Sequence, residues 1–232
     1  MQNIPTHIAI IMDGNRRWAR KHRLPAAAGH IEGVKAIERI IKAAPALGVK
    51  FLTLYAFSTE NWKRSPKEVN ALLKLLEYYL DTQFDNLVKN GIRFNTIGKI
   101  DEFPVNLREK IDKVKGLTRD NSRLVLNLAL NYGGRHEITE AVRRIAKEAK
   151  ESRLKIEDIS EEYFSEHLYT AGMPDPDLLI RTSGELRLSN FLLWQASYSE
   201  IYITKKLWPD FGKEDLKKAI GEYRNRKRRL GG

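Results

Sequence analysis

Apolar runs alternate with helical patterns along the whole chain. Ile8-Ala-Ile-Ile-Met12 is an unbroken hydrocarbon run, the pattern of a strand buried on both faces, and such strands belong to parallel sheets covered by helices. Ile31, Val34, Ile37, Ile40, Ile41 and Ala44 then keep the three-and-four spacing of a helix that closes at Gly48. Phe51 to Phe57 predicts a second strand. Pro66 opens a long helix carrying Val69, Leu72, Leu73, Leu75, Leu76, Tyr79, Leu80, Phe84, Leu87 and Val88. So broad an apolar face either packs against both a sheet and a neighbouring helix or lines an apolar cavity.

Further on, Ile92 to Ile97 predicts a third strand, Val105 to Leu117 a helix, and Leu124 to Leu130 a fourth strand before a Tyr132-Gly-Gly134 turn. A charged helix runs from His136 to about Ser152, Tyr163 to Tyr169 suggests a short helix, and Leu178 to Ile180 and Ile201 to Ile203 read as short strands. Lys213 to Arg229 is expected to form a final basic helix. Strands separated by helices imply an α/β fold with a mostly parallel central sheet of about six strands flanked by helices. No repeat or linker divides the chain, so residues 1–232 are expected to form one domain.

Polar residues collect where the apolar strands stop. The first ends at Asp13-Gly14-Asn15-Arg16-Arg17-Trp18, the second at Ser58-Thr-Glu-Asn61-Trp62-Lys-Arg64, the fourth at Asn131-Tyr-Gly-Gly-Arg135, and the fifth at Arg181-Thr-Ser-Gly-Glu-Leu-Arg187-Leu-Ser189. In a parallel sheet these ends share one edge, where open α/β sheets bind their ligands. Arginine forks grip phosphate oxygens, and hydroxyls and glycine-flanked amides fill the remaining acceptor sites, so the edge suits more than one phosphate. Gly29-His30 is expected to open the first helix, aiming an imidazole at the same space or serving as a plain cap. An aspartate among phosphate-binding cations needs a bridging divalent ion, which makes Asp13 a candidate Mg2+ ligand. Glu200 either assists it or is a solvated strand start.

Composition narrows the partners. Lys and Arg total 41 against 30 acidic residues, a formal net charge of +11, so an anionic partner is expected: nucleic acid, a phosphorylated small molecule or a membrane surface. The densest cations, Arg224-Asn-Arg-Lys-Arg-Arg229, lack the interleaved aromatics of a base-stacking surface. Cysteine is absent, which excludes disulfides and thiolate metal sites. Met1-Gln-Asn-Ile-Pro has no secretory pattern, and a cytoplasmic location is expected. P-loop, dinucleotide and serine-hydrolase motifs are all missing.

Five ordered blocks make the chain resemble the cis-prenyltransferases, and among them the bacterial undecaprenyl diphosphate synthases. They are His7-Ile-Ala-Ile-Ile-Met-Asp-Gly-Asn15, Leu54-Tyr-Ala-Phe-Ser-Thr-Glu-Asn-Trp62, Asn127-Leu-Ala-Leu-Asn-Tyr-Gly-Gly-Arg135, Asp177-Leu-Leu-Ile-Arg-Thr-Ser-Gly-Glu185 and Ser189-Asn-Phe-Leu-Leu-Trp-Gln195. The resemblance implies Mg2+-dependent condensation of isopentenyl diphosphate with an allylic diphosphate, farnesyl diphosphate above all, to a long cis-polyprenyl diphosphate. It implies that Asp13 is catalytic and associated with the metal, with Glu200 nearby. Gly14, Asn15, Arg16, Arg17, Trp18 and His30 then surround the allylic diphosphate, and Arg181, Arg187 and Ser189 hold isopentenyl diphosphate. Ser58, Asn61, Trp62 and Arg64 belong to a closing segment, with Asn61 assisting Asp13 in proton removal.

The resemblance also implies a homodimer, a peripheral membrane contact and a hydrophobic tunnel. The helix from Val69 to Val88 would form one tunnel wall, with Phe57, Leu124 and Leu126 as neighbours and Ala56 either leaving room or serving as a plain strand residue. Two positions depart from the common pattern: Arg16 replaces a glycine and Ala26 replaces an arginine, whose work falls to Arg16 or Arg23. The ending Arg229-Leu-Gly231 resembles a tail that reaches a partner's active site. Two alternatives are a noncatalytic scaffold subunit, which typically lacks residues matching Asp13 and Asn61, and a basic nucleic-acid-binding protein.

Overall fold

The computed structural model describes residues 4–226. Its strands are β1 (His7–Ile11), β2 (Phe51–Ser58), β3 (Ile92–Ile97), β4 (Leu124–Tyr132), β5 (Leu178–Arg181) and β6 (Glu200–Ile203). All pair in parallel, in the order β3-β4-β2-β1-β5-β6. The helices are α1 (Asn15–Lys21), α2 (Ala26–Ala46), α3 (Pro66–Lys89), α4 (Val105–Thr118), α5 (Gly134–Lys150), α6 (Glu161–Glu166) and α7 (Lys213–Asn225). The single α/β domain expected from the hydrophobic pattern is therefore present, with a sheet that is parallel throughout.

Alternation along β1 explains its unbroken apolar run. Ile8 and Ile10 join Leu52, Leu54, Leu126 and Leu128 in a core covered by α2, α3, α4 and α7. Ala9 and Ile11 face the other way, toward Ala129, Leu179, Phe191 and Leu192. Each buried isoleucine or leucine contributes about 1.5–3 kcal/mol, so a strand buried on both faces is tightly held in register. The start of α3 follows local rules: Pro66 takes the first turn and the Ser65 hydroxyl accepts the Glu68 amide at 3.3 Å.

Three elements differ from expectation. Helix α1 carries only Trp18 and Ala19 as apolar residues, too few to show a period. Helix α2 starts at Ala26, because Ala26-Ala-Ala28 behind Pro25 propagates helix readily, so His30 lies inside the helix and does not open it. The short helix is Glu161–Glu166, capped by Ser160, whose hydroxyl accepts the Tyr163 amide at 3.1 Å. The expected extension of the last helix to Arg229 and the Arg229-Leu-Gly231 ending lie outside the described residues.

Candidate active site

Register brings the strand ends together. Ile11 is level with Tyr55 and Arg181, and Ser58 with Tyr132, so the residues after β1, β2, β4 and β5 share one edge. Asp13 is pinned there by Thr182, whose hydroxyl accepts the Asp13 amide at 2.9 Å and donates to the Asp13 carbonyl at 2.7 Å. Arg181 is the centre of the edge, with its side chain only 4% exposed. Its Nη2 donates to Asp13 Oδ2 at 2.9 Å, while Nη1 donates to Ser189 Oγ at 2.7 Å and to the Arg187 carbonyl at 2.5 Å. The loop that turns Ser189 back over Arg181 needs left-handed backbone at Ser189 (φ 49°), Asn190 (φ 63°) and Leu192 (φ 47°), a strained path held by these contacts.

Gly14, at φ 107°, makes the turn from β1 into α1 in a conformation open to glycine alone at little strain. Asn15 then packs against α2 at two glycines: a Cβ on Gly29 would stand 2.0 Å from the Asn15 carbonyl oxygen, and one on Gly33 would stand 2.5 Å from Asn15 Oδ1. Among the described residues, that buried Oδ1 and the buried His30 Nε2 have no hydrogen-bond partner. Orphaned buried polar atoms at a cleft are what a ligand would satisfy. Burial, reinforced by Arg64, pushes the His30 imidazole below its ordinary pKa, so at neutral pH it is uncharged.

The cleft at this edge has a volume of about 240 Å³ and is lined by Asp13, Asn15, His30, Ser58, Asn61, Arg64, Arg181 and Ser189. An adjoining recess of about 220 Å³ adds Gly14, Arg16 and Arg17. Arg64 is held by Glu68 at 2.7 Å, Arg16 stands 3.9 Å from the same carboxylate, and Arg17 is 3.1 Å from Glu185. Asn61 Oδ1 accepts the Ser58 amide at 3.0 Å, which closes the short 3₁₀ turn Thr59–Lys63 and leaves the Nδ2 donors for the cleft. Of the two expected substitutes for the arginine missing at Ala26, Arg16 lines this space and Arg23 does not.

Four expected residues sit differently. Trp18 stacks on His22 and donates its indole N–H to Asp210 at 2.7 Å, away from the cleft. Trp62 packs against Phe57 and Phe103 and donates to Asn131 Oδ1 at 2.8 Å. Arg187 contributes its carbonyl to Arg181, while its exposed guanidinium binds Glu185 at 2.6 Å. Glu200 is level with Leu178 and Ile8 at the start of β6, three strand residues or roughly 10 Å below the edge, and pairs with Arg226 at 2.5 Å. The expected Asp13–Glu200 pair therefore does not form within the chain.

Residues not anticipated include Thr182 and Tyr55, whose hydroxyl donates to the Tyr132 carbonyl at 3.1 Å. Thr182 was adjacent to Arg181 in the sequence, so its position was readable; the reach of Tyr55 across to β4 was not. Beneath the cleft, an apolar cavity of about 90 Å³ is walled by Met12, Ala56, Phe57, Leu76, Leu128 and Leu130. Phe57 and Ala56 line this cavity, whereas Leu124 and Leu126 lie deeper in the core on the same sheet face.

Among the described residues, no three His, Cys, Asp or Glu side chains converge as a metal cage. Asp13 Oδ1, however, has no protein partner among them, and its side chain is 30% exposed toward the cleft. One carboxylate completed by substrate phosphates and water is a donor set that suits Mg2+.

The Prenyltransf family model, described as "Putative undecaprenyl diphosphate synthase", matches residues 11–231. The isoprenyl transferase of Clostridium perfringens is 54% identical over 229 residues, 99% of this chain and 90% of that protein. The ditrans,polycis-undecaprenyl-diphosphate synthase ((2E,6E)-farnesyl-diphosphate specific) of Micrococcus luteus is 51% identical over 229 residues, 99% of this chain and 92% of that protein. The crystal structure of lavandulyl diphosphate synthase from Lavandula x intermedia, in complex with dimethylallyl diphosphate, superposes with a TM-score of 0.96 at 42% identity, covering 99% of both chains. Matched over nearly its full length by this family model and by these relatives, the chain belongs to the undecaprenyl diphosphate synthase family and is a cis-prenyltransferase.

Proposed function

We propose that this chain extends farnesyl diphosphate with successive isopentenyl diphosphate units to a long cis-polyprenyl diphosphate such as undecaprenyl diphosphate. The observation that carries the reading is the buried Arg181 joining Asp13 to Ser189, at an edge crowded with guanidiniums and floored by an apolar cavity. Such an edge suits a ligand with an anionic head and a hydrocarbon tail. The name of the Micrococcus relative supports farnesyl diphosphate as starter and an undecaprenyl product, and that of the Clostridium relative supports isoprenyl transfer.

In this reading Arg16, Arg17, Arg64, Asn15 and His30 receive the allylic diphosphate, and Arg181, Ser189 and Arg187 receive the isopentenyl diphosphate, with Arg187 exchanging Glu185 for substrate. The allylic carbon–oxygen bond breaks with its electron pair going to the departing diphosphate. The isopentenyl double bond then attacks that carbon, and loss of a proton from the neighbouring carbon restores an alkene. Charge grows on the leaving diphosphate as the bond lengthens, so fixed guanidiniums stabilise the transition state more than the ground state. Asn61 cannot act as a base, since it is an amide whose oxygen already accepts the Ser58 N–H; it orients the reacting groups while Asp13 receives the proton.

Asp13 Oδ1 would hold Mg2+ together with diphosphate oxygens, and the ion when bound would neutralise the developing negative charge. The apolar cavity is the inner end of the hydrocarbon tunnel. A homodimer in the cytoplasm, touching the membrane peripherally, completes the reading; among the described residues no helix is long and apolar enough to cross a membrane. A scaffold role is disfavoured by the presence of both Asp13 and Asn61 at an open cleft.

The test is incorporation of labelled isopentenyl diphosphate into an organic extract with farnesyl diphosphate, with magnesium or chelator. Incorporation should require magnesium and fall about 10³-fold in Asp13→Ala. Absence of incorporation by the folded protein with every allylic starter overturns the proposal.

A further inference from the structure

The cleft has a second neighbour besides the small cavity beneath it. Between the first turns of α2 and the first half of α3 runs an open groove of about 660 Å³. His30 and Leu72 line the cleft, the inner cavity and this groove alike, so the three spaces adjoin. The inner cavity is much smaller, at about 90 Å³. The groove is a large apolar volume that adjoins the cleft.

Its rim combines exposed apolar residues with cations. Ile31 and Tyr78 line it, yet they are 51% and 61% exposed. Lys67 and Lys74 lie on the Tyr78 side of α3, at the spacing that puts residues on one helical face, and both are exposed. Neither makes an ion pair among the described residues, so both are available to an anionic partner. Unpaired lysines beside an exposed tyrosine and isoleucine form the pattern of a bilayer interface. Lysine stems lie along apolar surface with their heads among anionic headgroups, and tyrosine places its ring at the boundary. A nucleic-acid surface would need stacked aromatics, and a water-facing surface would not leave an apolar groove open.

We infer that the mouth of the groove, framed by Ile31, Tyr78, Lys67 and Lys74, docks on an anionic lipid bilayer and passes the hydrocarbon of the growing product sideways into it. The inference rests on the prenyltransferase reading above, because a hydrocarbon product must reach a lipid phase. It places the membrane against the face between α2 and α3, with the diphosphate head still held at the carboxyl edge of the sheet.

The test reads binding separately from turnover. Full-length protein is co-sedimented with vesicles of phosphatidylglycerol and phosphatidylcholine, and with phosphatidylcholine alone. It should bind the anionic vesicles preferentially, and Lys67→Glu/Lys74→Glu should weaken that binding about 30-fold. Lys147→Glu/Lys150→Glu on α5, which contributes nothing to the groove, changes the net charge equally and should alter binding less than about threefold. Equal losses in the two charge variants would reduce the effect to net charge and overturn the inference.

Because the chain has no cysteine, Tyr78→Cys and Lys147→Cys each introduce a unique labelling site. A fluorophore at position 78 should be quenched by a lipid-borne quencher, and one at 147 should not. No quenching at 78 in vesicle-bound protein, or self-quenching at 78 without vesicles, which would assign the face to a second copy, would overturn it. Incorporation assayed in detergent reports on the enzymatic reading alone, so its failure is distinguishable from a failure to dock.

Discussion

Two rows of buried polar side chains cross the same sheet and have opposite characters. Toward the amino end, Asn95 donates to Asn127 (3.2 Å), Asn127 to Thr53 (3.2 Å), Thr53 meets His7 Nε2 (2.7 Å), and His7 Nδ1 meets the Pro174 carbonyl (2.7 Å). That carbonyl can only accept, so Nδ1 carries the proton, Nε2 accepts from Thr53, and every donor in the row points the same way. No buried atom of this row lacks a partner. At the carboxyl edge, by contrast, Asn15 Oδ1, His30 Nε2 and Arg181 Nε are buried and orphaned. A satisfied row fixes strands to one another, whereas an unsatisfied one holds hydrogen-bonding capacity in reserve for a ligand. Burial of polar groups alone does not mark a site; here it is the gathering of three orphaned atoms at one edge, beside an open cleft, that does.

The sharpest way to break this contrast is Arg181→Met. It should lower kcat/KM for condensation by about 10³-fold, since it removes the guanidinium that joins Asp13 to Ser189. Steady-state kinetics on the folded variant would show it, and a loss below tenfold would deny Arg181 its central place. At the other row, His7→Ala should destabilise the fold by about 3 kcal/mol, because Thr53 and the Pro174 carbonyl lose their partner inside the core. Urea titration measures that loss, and the activity per folded molecule should stay within about twofold of the parent.

The same histidine gives a pH test of comparable size. Burial pushes His7 from its ordinary 6.5 down to about 4. Protons therefore bind the unfolded chain first, so the stability linked to His7 is full above pH 6.5 and lost progressively as the pH falls toward about 4. The loss should be about 3 kcal/mol, read as the difference between the parent and His7→Gln in denaturation curves across that window. The smallest expected effect is that of His30→Gln, which should reduce kcat/KM about tenfold while leaving stability unchanged within about 0.5 kcal/mol, since no protein group depends on His30 Nε2. A stability loss equal to that of His7→Ala would erase the distinction between the rows.

Sequence pattern alone placed β1 to β4 to within a residue or two at each end, because fully buried strands write continuous apolar runs. It also placed the carboxyl-edge cluster, because parallel strands necessarily end together. The pattern did not reveal α1, whose surface is mostly charged, nor the true start of α2, where alanines carry no amphipathic signal. Trp62 finds Phe103 in a loop far along the chain, a contact no local spacing encodes. Glu200 is a different case: it begins its strand, and in a parallel sheet beginnings and ends lie on opposite edges, so its distance from Asp13 follows from parallel pairing alone.

Gly29 and Gly33, one turn apart on α2, set how closely Asn15 can approach that helix. The width of the substrate entrance is therefore written in atoms that are missing, and its natural unit of change is a single methyl group. A lineage or a designer wishing to reshape the entrance has no need to touch the arginines: adding one carbon at Gly33 would move the Asn15 carboxamide before anything else. The reverse also holds, for the catalytic edge cannot drift independently of the spacing between α1 and α2, and selection on chemistry here is at the same time selection on how two helices lie together.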